Sequence, residues 1–336
     1  MPVHLKRPTT EETPVSATTT SSEQTAPGPL DTDRRSRAGD RVFAGSATAA
    51  GVLILVTLAG VFAFLLYEGF PALVAEEGEL PGGRTFLEFV GPLVFGTVLA
   101  ATIALLIATP LSIGIALFIS HYAPRRISSG IGYVVDLLAA IPSVVYGLWG
   151  VFFLAPQLVP GYRWLEENLG FIPLFAGPTS ATGRTMLTAG IVLAVMILPI
   201  MTAVNREVFL QTPRLQEEAA LALGATRWEM IRMTVLPFGR SGIVSAAMLG
   251  LGRALGETLA VALVLSPSMT VTTNLIGSVN TSTIAANIAL QFPESSGLAV
   301  NALIASGLVL FALTFAVNFV ARAIIARRSQ FSGADA

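Results

Sequence analysis

No cysteine occurs among the 336 residues, which excludes a disulfide framework and any thiol chemistry. Histidine is nearly absent as well. His4 and His121 are the whole supply, which argues against a histidine-based metal site or catalytic triad. Lys6 is the single lysine, and a Walker A loop needs a lysine directly after its glycine-rich run, so the chain is not its own P-loop ATPase. Charge is scarce: 12% of residues are Asp, Glu, Lys or Arg, against about one quarter in soluble domains. The formal net charge is −1, so the placement of charge carries the information and the sum does not.

Apolar sequence fills the space that charge leaves. The chain is 53% hydrophobic, with a mean hydropathy of +0.71. Six apolar runs, at about 43–67, 91–119, 131–156, 185–209, 239–265 and 298–325, each reach the ~20 residues that a spanning helix needs. These predict an all-α membrane protein with a six-span domain over 42–328. Residues 1–41 are rich in Thr, Ser, Pro and charge and predict a disordered tail; 329–336 form a short C-terminal tail. The apolar run begins too late and runs too long for a signal peptide.

Arginine placement predicts orientation. Six spans put both termini on one side, which holds sixteen Lys and Arg: those of the tail, then Arg125, Arg126, Arg206, Arg214, Arg227, Arg232, Arg240, Arg322, Arg327 and Arg328. The other side holds only Arg84, Arg163 and Arg184. The positive-inside rule therefore predicts both termini in the cytoplasm, and without the tail the count is still ten to three. Of the outer segments, 157–184 carries Tyr162, Trp164 and Phe171 and predicts an interfacial helix. In 266–297 an apolar stretch, Ile284 to Phe292, predicts a short helix on the membrane face.

Two charges fall inside the fifth run. Arg253 lies thirteen residues past Arg240, about 20 Å along a helix, and Glu257 follows four residues later on the same predicted face. An arginine at mid-bilayer costs about 2.5–3.5 kcal/mol on insertion scales, so an intramembrane pair is a functional-site hypothesis. A guanidinium fork suits an oxyanion, and Glu257 would hold that fork between passages. A salt bridge that only fixes packing is the plainer alternative. Asp136 reads as a water-exposed helix-end acid, and the segment with Pro142, Gly147 and Gly150 offers Ser143 and Tyr146 as hydroxyls lining a passage.

Between the fourth and fifth runs stands a charged insert, Gln216 to Pro237. Glu217 to Leu223 predicts a short helix and Gly224 its left-handed stop. Thr226 with Glu229 predicts a capping box that opens a second short helix, and Pro237 marks the entry to the next span. An ordinary loop would satisfy the same pattern. Two helices bent at a glycine would form a knob, with Ala219 and Ala220 as a close-approach surface.

The spacing Glu218-Ala219-Ala220, Gly224, Leu236-Pro237 resembles the EAA loop of ABC importer permeases, with Thr234 where that family usually has isoleucine. GRALGET at 252–258, IPSVVYGLWG at 141–150 and ATPLSIGIALFISHYAP at 108–124 resemble the PstC-type permeases of phosphate importers from about residue 41 to 327. His121 and Asp136 stand where those permeases often carry Glu. The resemblance implies a MetI-like fold in the bacterial plasma (inner) membrane and no enzymatic activity of the chain itself. It implies ATPase coupling through Glu217, Glu218, Ala219, Ala220, Gly224 and Arg227, and a substrate pathway past Arg253 and Glu257, joined by Ser143 and Tyr146 from the residue reading. The implied partners are a PstA-like second permease, a PstB-like ATPase dimer that binds ATP and Mg, a PstS-like extracytoplasmic phosphate-binding protein, inorganic phosphate and membrane lipid. No nucleic acid and no cofactor on this chain are expected. A permease for molybdate or phosphonate, and an ATP-independent anion channel or transporter, are the rival readings.

Overall fold

The computed structural model describes residues 33–76, 78–80 and 82–332, almost all of them helical. The chain divides into two units between Ala59 and Gly60. Helix α1 runs from Asp33 to Leu73, so it starts inside the stretch expected to be a tail; residues 1–32 and 333–336 lie outside the described residues. In the first unit every described side chain from Gly39 to Ala59 is exposed, Val42, Phe43, Leu53 and Leu55 among them. In water such a surface would be an aggregation site; in lipid it costs nothing, because acyl chains are as apolar as leucine.

Six described helices have the length and apolarity to cross a membrane: Gly39–Leu73, Phe86–Tyr122, Ser143–Leu169, Met186–Leu210, Arg227–Leu255 and Leu298–Ala323. Their number matches the expectation, and two of their positions do not. The run expected to span at 131–156 breaks at Ala140 to Pro142. Proline disfavours helical backbone in the residue before it, and Pro142 itself sits at ψ 140°. Upstream of the break, α3 (Arg125–Ala139) is a separate amphipathic helix; downstream, α4 (Ser143–Trp149), a π-helical turn and α5 (Ala155–Leu169) together have the length and apolarity to span. Tyr162, expected at the interface, is buried on α5 and hydrogen-bonds the Thr188 hydroxyl at 2.7 Å.

The fifth span shifts the other way. Its helix begins at Arg227 and ends at Leu255, ten residues short of the expected end. A π-helical turn at Ile231–Val235 joins α8 (Arg227–Met230) to α9 (Leu236–Leu255). Pro237 therefore sits in the first turn of α9, where its missing N–H is tolerated, and the helix passes through it unbroken.

The core is built where α2 (Phe86–Leu117), α6 (Met186–Leu210) and α9 meet, around Ile103, Leu193, Ile197 and Met201, with many alanines between them. Small residues set this packing, since lipid gives no hydrophobic drive for helix association and close approach must supply the attraction. The segment after α10 (Leu259–Val264) folds back into the bundle. Its two short strands, β1 (Pro267–Ser268) and β2 (Asn280–Thr281), pair in parallel. Helix α11 (Ile284–Gln291) then starts with four buried residues, Ile284 to Asn287, not on a membrane face. The Ile284 amide donates to the Thr97 hydroxyl of α2 at 3.0 Å, and the Ser282 carbonyl presses on Gly96.

Gly96 has no room for a side chain: a Cβ there would stand 2.2 Å from the Ser282 carbonyl oxygen. Gly96→Val is expected to lower stability by about 1–3 kcal/mol, the cost of overpacking a tight contact. Thermal denaturation of the detergent-solubilised protein checks this. An unchanged midpoint would show that the 280–283 segment is loosely held.

Candidate functional site

Two interrupted helices face each other. The α3–α4 break lies at residues 140–142, and the α9–α10 break at Gly256 to Thr258. Gly147 of α4 lies against Ala260 and Leu263 of α10; a Cβ at 147 would meet the Ala260 Cα at 2.9 Å. Broken backbone at membrane depth is tolerated where it is buried in protein or lines a polar cavity. Ser143 and Tyr146 follow the first break on α4, Arg253 precedes the second on α9, and Glu257 lies within the second.

Arg253 is half-buried in the last turn of α9. Tyr146 is buried and donates its hydroxyl to the Leu138 carbonyl at 2.9 Å, which ties α4 across the break to the end of α3. Ser143 is half-buried at the start of α4. The helix that carries Ser143 and Tyr146 packs, through Gly147, on the helix that follows Arg253 across the break.

Glu257 does not share a helical face with Arg253. The helix has ended two residues earlier, at Leu255, so four-residue spacing no longer puts the two side chains in register. Among the described residues the ion pairs within 4.0 Å join other partners. Glu257 is 9% exposed, and its Oε1 accepts the Ala260 amide at 3.1 Å, capping the first turn of α10. A carboxylate at that position satisfies an orphan N–H and complements the helix dipole.

The other end of α10 is held by a residue that the sequence reading counted only as an outer charge. Arg184 donates from Nη2 to the Leu263 and Leu265 carbonyls at 3.0 Å, and from Nε to the Val264 carbonyl at 3.4 Å. Its own carbonyl accepts from Asn280 Nδ2 at 3.0 Å, while Asn280 Oδ1 accepts the Met186 amide at 2.8 Å. These partners lie about eighty and about a hundred residues away in sequence, beyond the reach of any local pattern.

The charged insert folds much as its spacing predicts at the glycine. Helix α7 (Arg214–Ala222) ends in a Schellman motif: the Ala225 amide donates to the Ala220 carbonyl and the Gly224 amide to the Leu221 carbonyl, with Gly224 at φ 87°. The Thr226–Glu229 capping box is present in both directions. The second limb is not a separate short helix. It is the start of the fifth span, so one continuous helix carries the knob at one end and Arg253 at the other.

Side-chain directions divide the insert. Glu218, Ala219, Gly224 and Arg227 are exposed, together with Leu215, Leu223 and Trp228. Ala220, expected beside Ala219 on the outer surface, turns inward at 8% exposure and packs with Phe209, Met230, Ile231 and Val235. Its position on α7 is one residue, or about 100°, round from Ala219, which is enough to cross from one face to the other. Glu217 is half-buried, and its Oε1 stands 3.5 Å from Nε2 of His121, whose Nδ1 contacts the Ser120 hydroxyl at 2.6 Å. The insert is therefore clasped to the end of the second span.

Residues 108–330 match the family model described as binding-protein-dependent transport system inner membrane component. A phosphate transport system permease protein PstC 2 of Mycobacterium tuberculosis is 49% identical over 303 residues, covering 87% of this chain and 93% of that protein. The PstC of Mycobacterium leprae is 47% identical over 85% of this chain and 92% of its own length, and that of Mesorhizobium japonicum 39% over 90% and 95%. Among solved structures, a bacterial alginate ABC transporter in complex with an alginate pentasaccharide-bound periplasmic protein has a chain that superimposes with a TM-score of 0.58 at 17% identity. That match covers 87% of this chain and 96% of the other. A bacterial ABC transporter involved in alginate import gives 0.54 at 17% identity, over 87% and 99%.

Proposed function

Because the chain belongs to the family of binding-protein-dependent transport system inner membrane components, we propose that it is a PstC-type permease subunit of an ATP-driven phosphate importer. It is a multi-pass membrane transport component and not an enzyme. The observation that carries the substrate is the identity with permeases named for phosphate transport, which runs through almost the whole helical bundle. A molybdate or phosphonate permease and an ATP-independent anion channel are not favoured by these relatives or by the fold.

In this reading the termini and the 216–237 insert face the cytoplasm, as the arginine asymmetry supports. A PstA-like permease completes the pore, and a PstB-like ATPase dimer holds ATP and Mg and docks on Glu217, Glu218, Ala219, Gly224 and Arg227. Ala220, facing inward, supports that surface from behind. A PstS-like protein delivers inorganic phosphate from outside, and this chain binds no cofactor. The phosphate passes Arg253, with Tyr146 and Ser143 lining the opposite break and Glu257 at the foot of α10. Closure of the ATPase pair moves the knob, and the unbroken helix from Arg227 to Leu255 carries that movement to Arg253.

Labelled-phosphate uptake into vesicles holding the complete complex tests this. Uptake is expected only with binding protein outside and ATP inside. Equal uptake after removal of the ATPase would sink the importer reading in favour of a channel.

A further inference from the structure

The device that the sequence suggests for Arg253 and Glu257, a guanidinium loosely kept by a carboxylate, is present elsewhere. Arg206 of α6 points its Nη2 at Asp136 Oδ2 of α3, at 3.9 Å. That distance is too long for a hydrogen bond, so the pair is electrostatic only. Arg206 also lies against Gly132, where a Cβ would collide with Nη1. Its Nε is buried with no hydrogen-bond partner among the described residues.

Two neighbours on the same part of α6 share this condition. Thr202 and Asn205 are both 0% exposed, and among the described residues the Thr202 hydroxyl and the accepting Asn205 Oδ1 have no hydrogen-bond partner; Asn205 Nδ2 donates to the Ser112 hydroxyl at 3.2 Å. Residues 202, 205 and 206 fall within about 100° of the helical wheel, so the three orphans share a face where α2, α3 and α6 converge. An unmade hydrogen bond on a buried group is costly, and structures that keep several together need a reason for them.

The position suggests the reason. Helices α6 and α9 run antiparallel, with Gly242 against Val208 and Gly250 against Met201. In that register Arg206 lies level with residues 244–245, roughly 13 Å along the axis from Arg253 and nearer the knob. Asp136 is 55% exposed and Arg206 24%, so the pair opens toward solvent while Nε stays covered.

We propose that Arg206, with Thr202, is a second oxyanion site on the knob side of the pathway, and that Asp136 occupies the guanidinium between passages. A tetrahedral oxyanion supplies acceptors for the arginine fork and for the threonine hydroxyl. A loosely held carboxylate is one that such an anion can displace. The site rests on the importer reading above and extends it from one arginine to two in series.

Vesicles of the complete complex, loaded with ATP and supplied with binding protein, test it with inorganic phosphate as the probe. Arg206→Gln is expected to lower uptake by about tenfold or more, the worth of one charge-assisted hydrogen bond, while the ATPase still co-purifies. Arg206→Lys keeps the charge and is expected to restore part of the rate. Phosphate preloaded inside should inhibit uptake at lower concentration in Asp136→Asn, where the arginine is uncovered, and at higher concentration in Arg206→Gln. A merely structural ion pair predicts instead that both single variants shift this inhibition the same way, and that the swap R206D/D136R restores uptake; either result overturns the site. Wild-type rates in Arg206→Gln also overturn it while leaving the importer reading intact. A wild-type complex with no ATP-dependent uptake defeats both.

Discussion

Arg253→Ala is expected to cut labelled-phosphate uptake by about a hundredfold, the loss of roughly 3 kcal/mol of charge-assisted contact to an oxyanion, while the complex remains assembled. The arginine is half-buried in the last turn of α9, beside the helix break. No Asp or Glu side chain lies within 4.0 Å of it among the described residues, so its removal breaks no ion pair that holds helices together. Tyr146 keeps its own bond to the Leu138 carbonyl. A purely architectural arginine would therefore leave transport close to normal when replaced, and full uptake by this variant would remove Arg253 from the pathway. Arg253→Lys separates charge from geometry: a point charge without the planar fork should recover only part of the rate.

Gly224→Val should uncouple the transporter. At φ 87° a β-branched residue is strained by about 1–2 kcal/mol, and relief comes by unwinding the turn between α7 and α8. Space is not the obstacle, because nothing lies within 4 Å of a Cβ built at this position. Strain alone is enough to tilt the exposed face of α7 that carries Glu218 and Ala219. ATPase co-purification is expected to fall by about tenfold, the effect of 1.4 kcal/mol on an equilibrium. Gly224→Asn tolerates positive φ and should largely retain docking. If valine and asparagine behave alike and both bind the ATPase normally, the left-handed turn is not what presents the docking surface.

Much of this molecule was legible without coordinates where a local rule was strong. Six stretches of apolar residues announce six spans because a bilayer sets a minimum length and lipid penalises charge. The stop at Gly224 and the cap at Thr226 followed from four-residue patterns whose chemistry is complete within one turn. The third span was misplaced because a continuous apolar run does not reveal which side of Pro142 enters the membrane. Hydropathy also could not show that Pro237 is absorbed by a π-helical turn, nor that the fifth helix stops at Leu255.

What the chain alone determined is class: a bundle of spanning helices, a polar knob between two of them, and an arginine set within an apolar run. Only the tertiary structure decided the pairings. It separated Arg253 from Glu257 by a helix break, set Arg206 beside Asp136, and clasped Glu217 to His121. The reason is physical: hydropathy and caps are summed over neighbours in sequence, whereas a guanidinium's partner depends on which faces of distant helices meet, and that is settled by the packing of side chains many tens of residues apart.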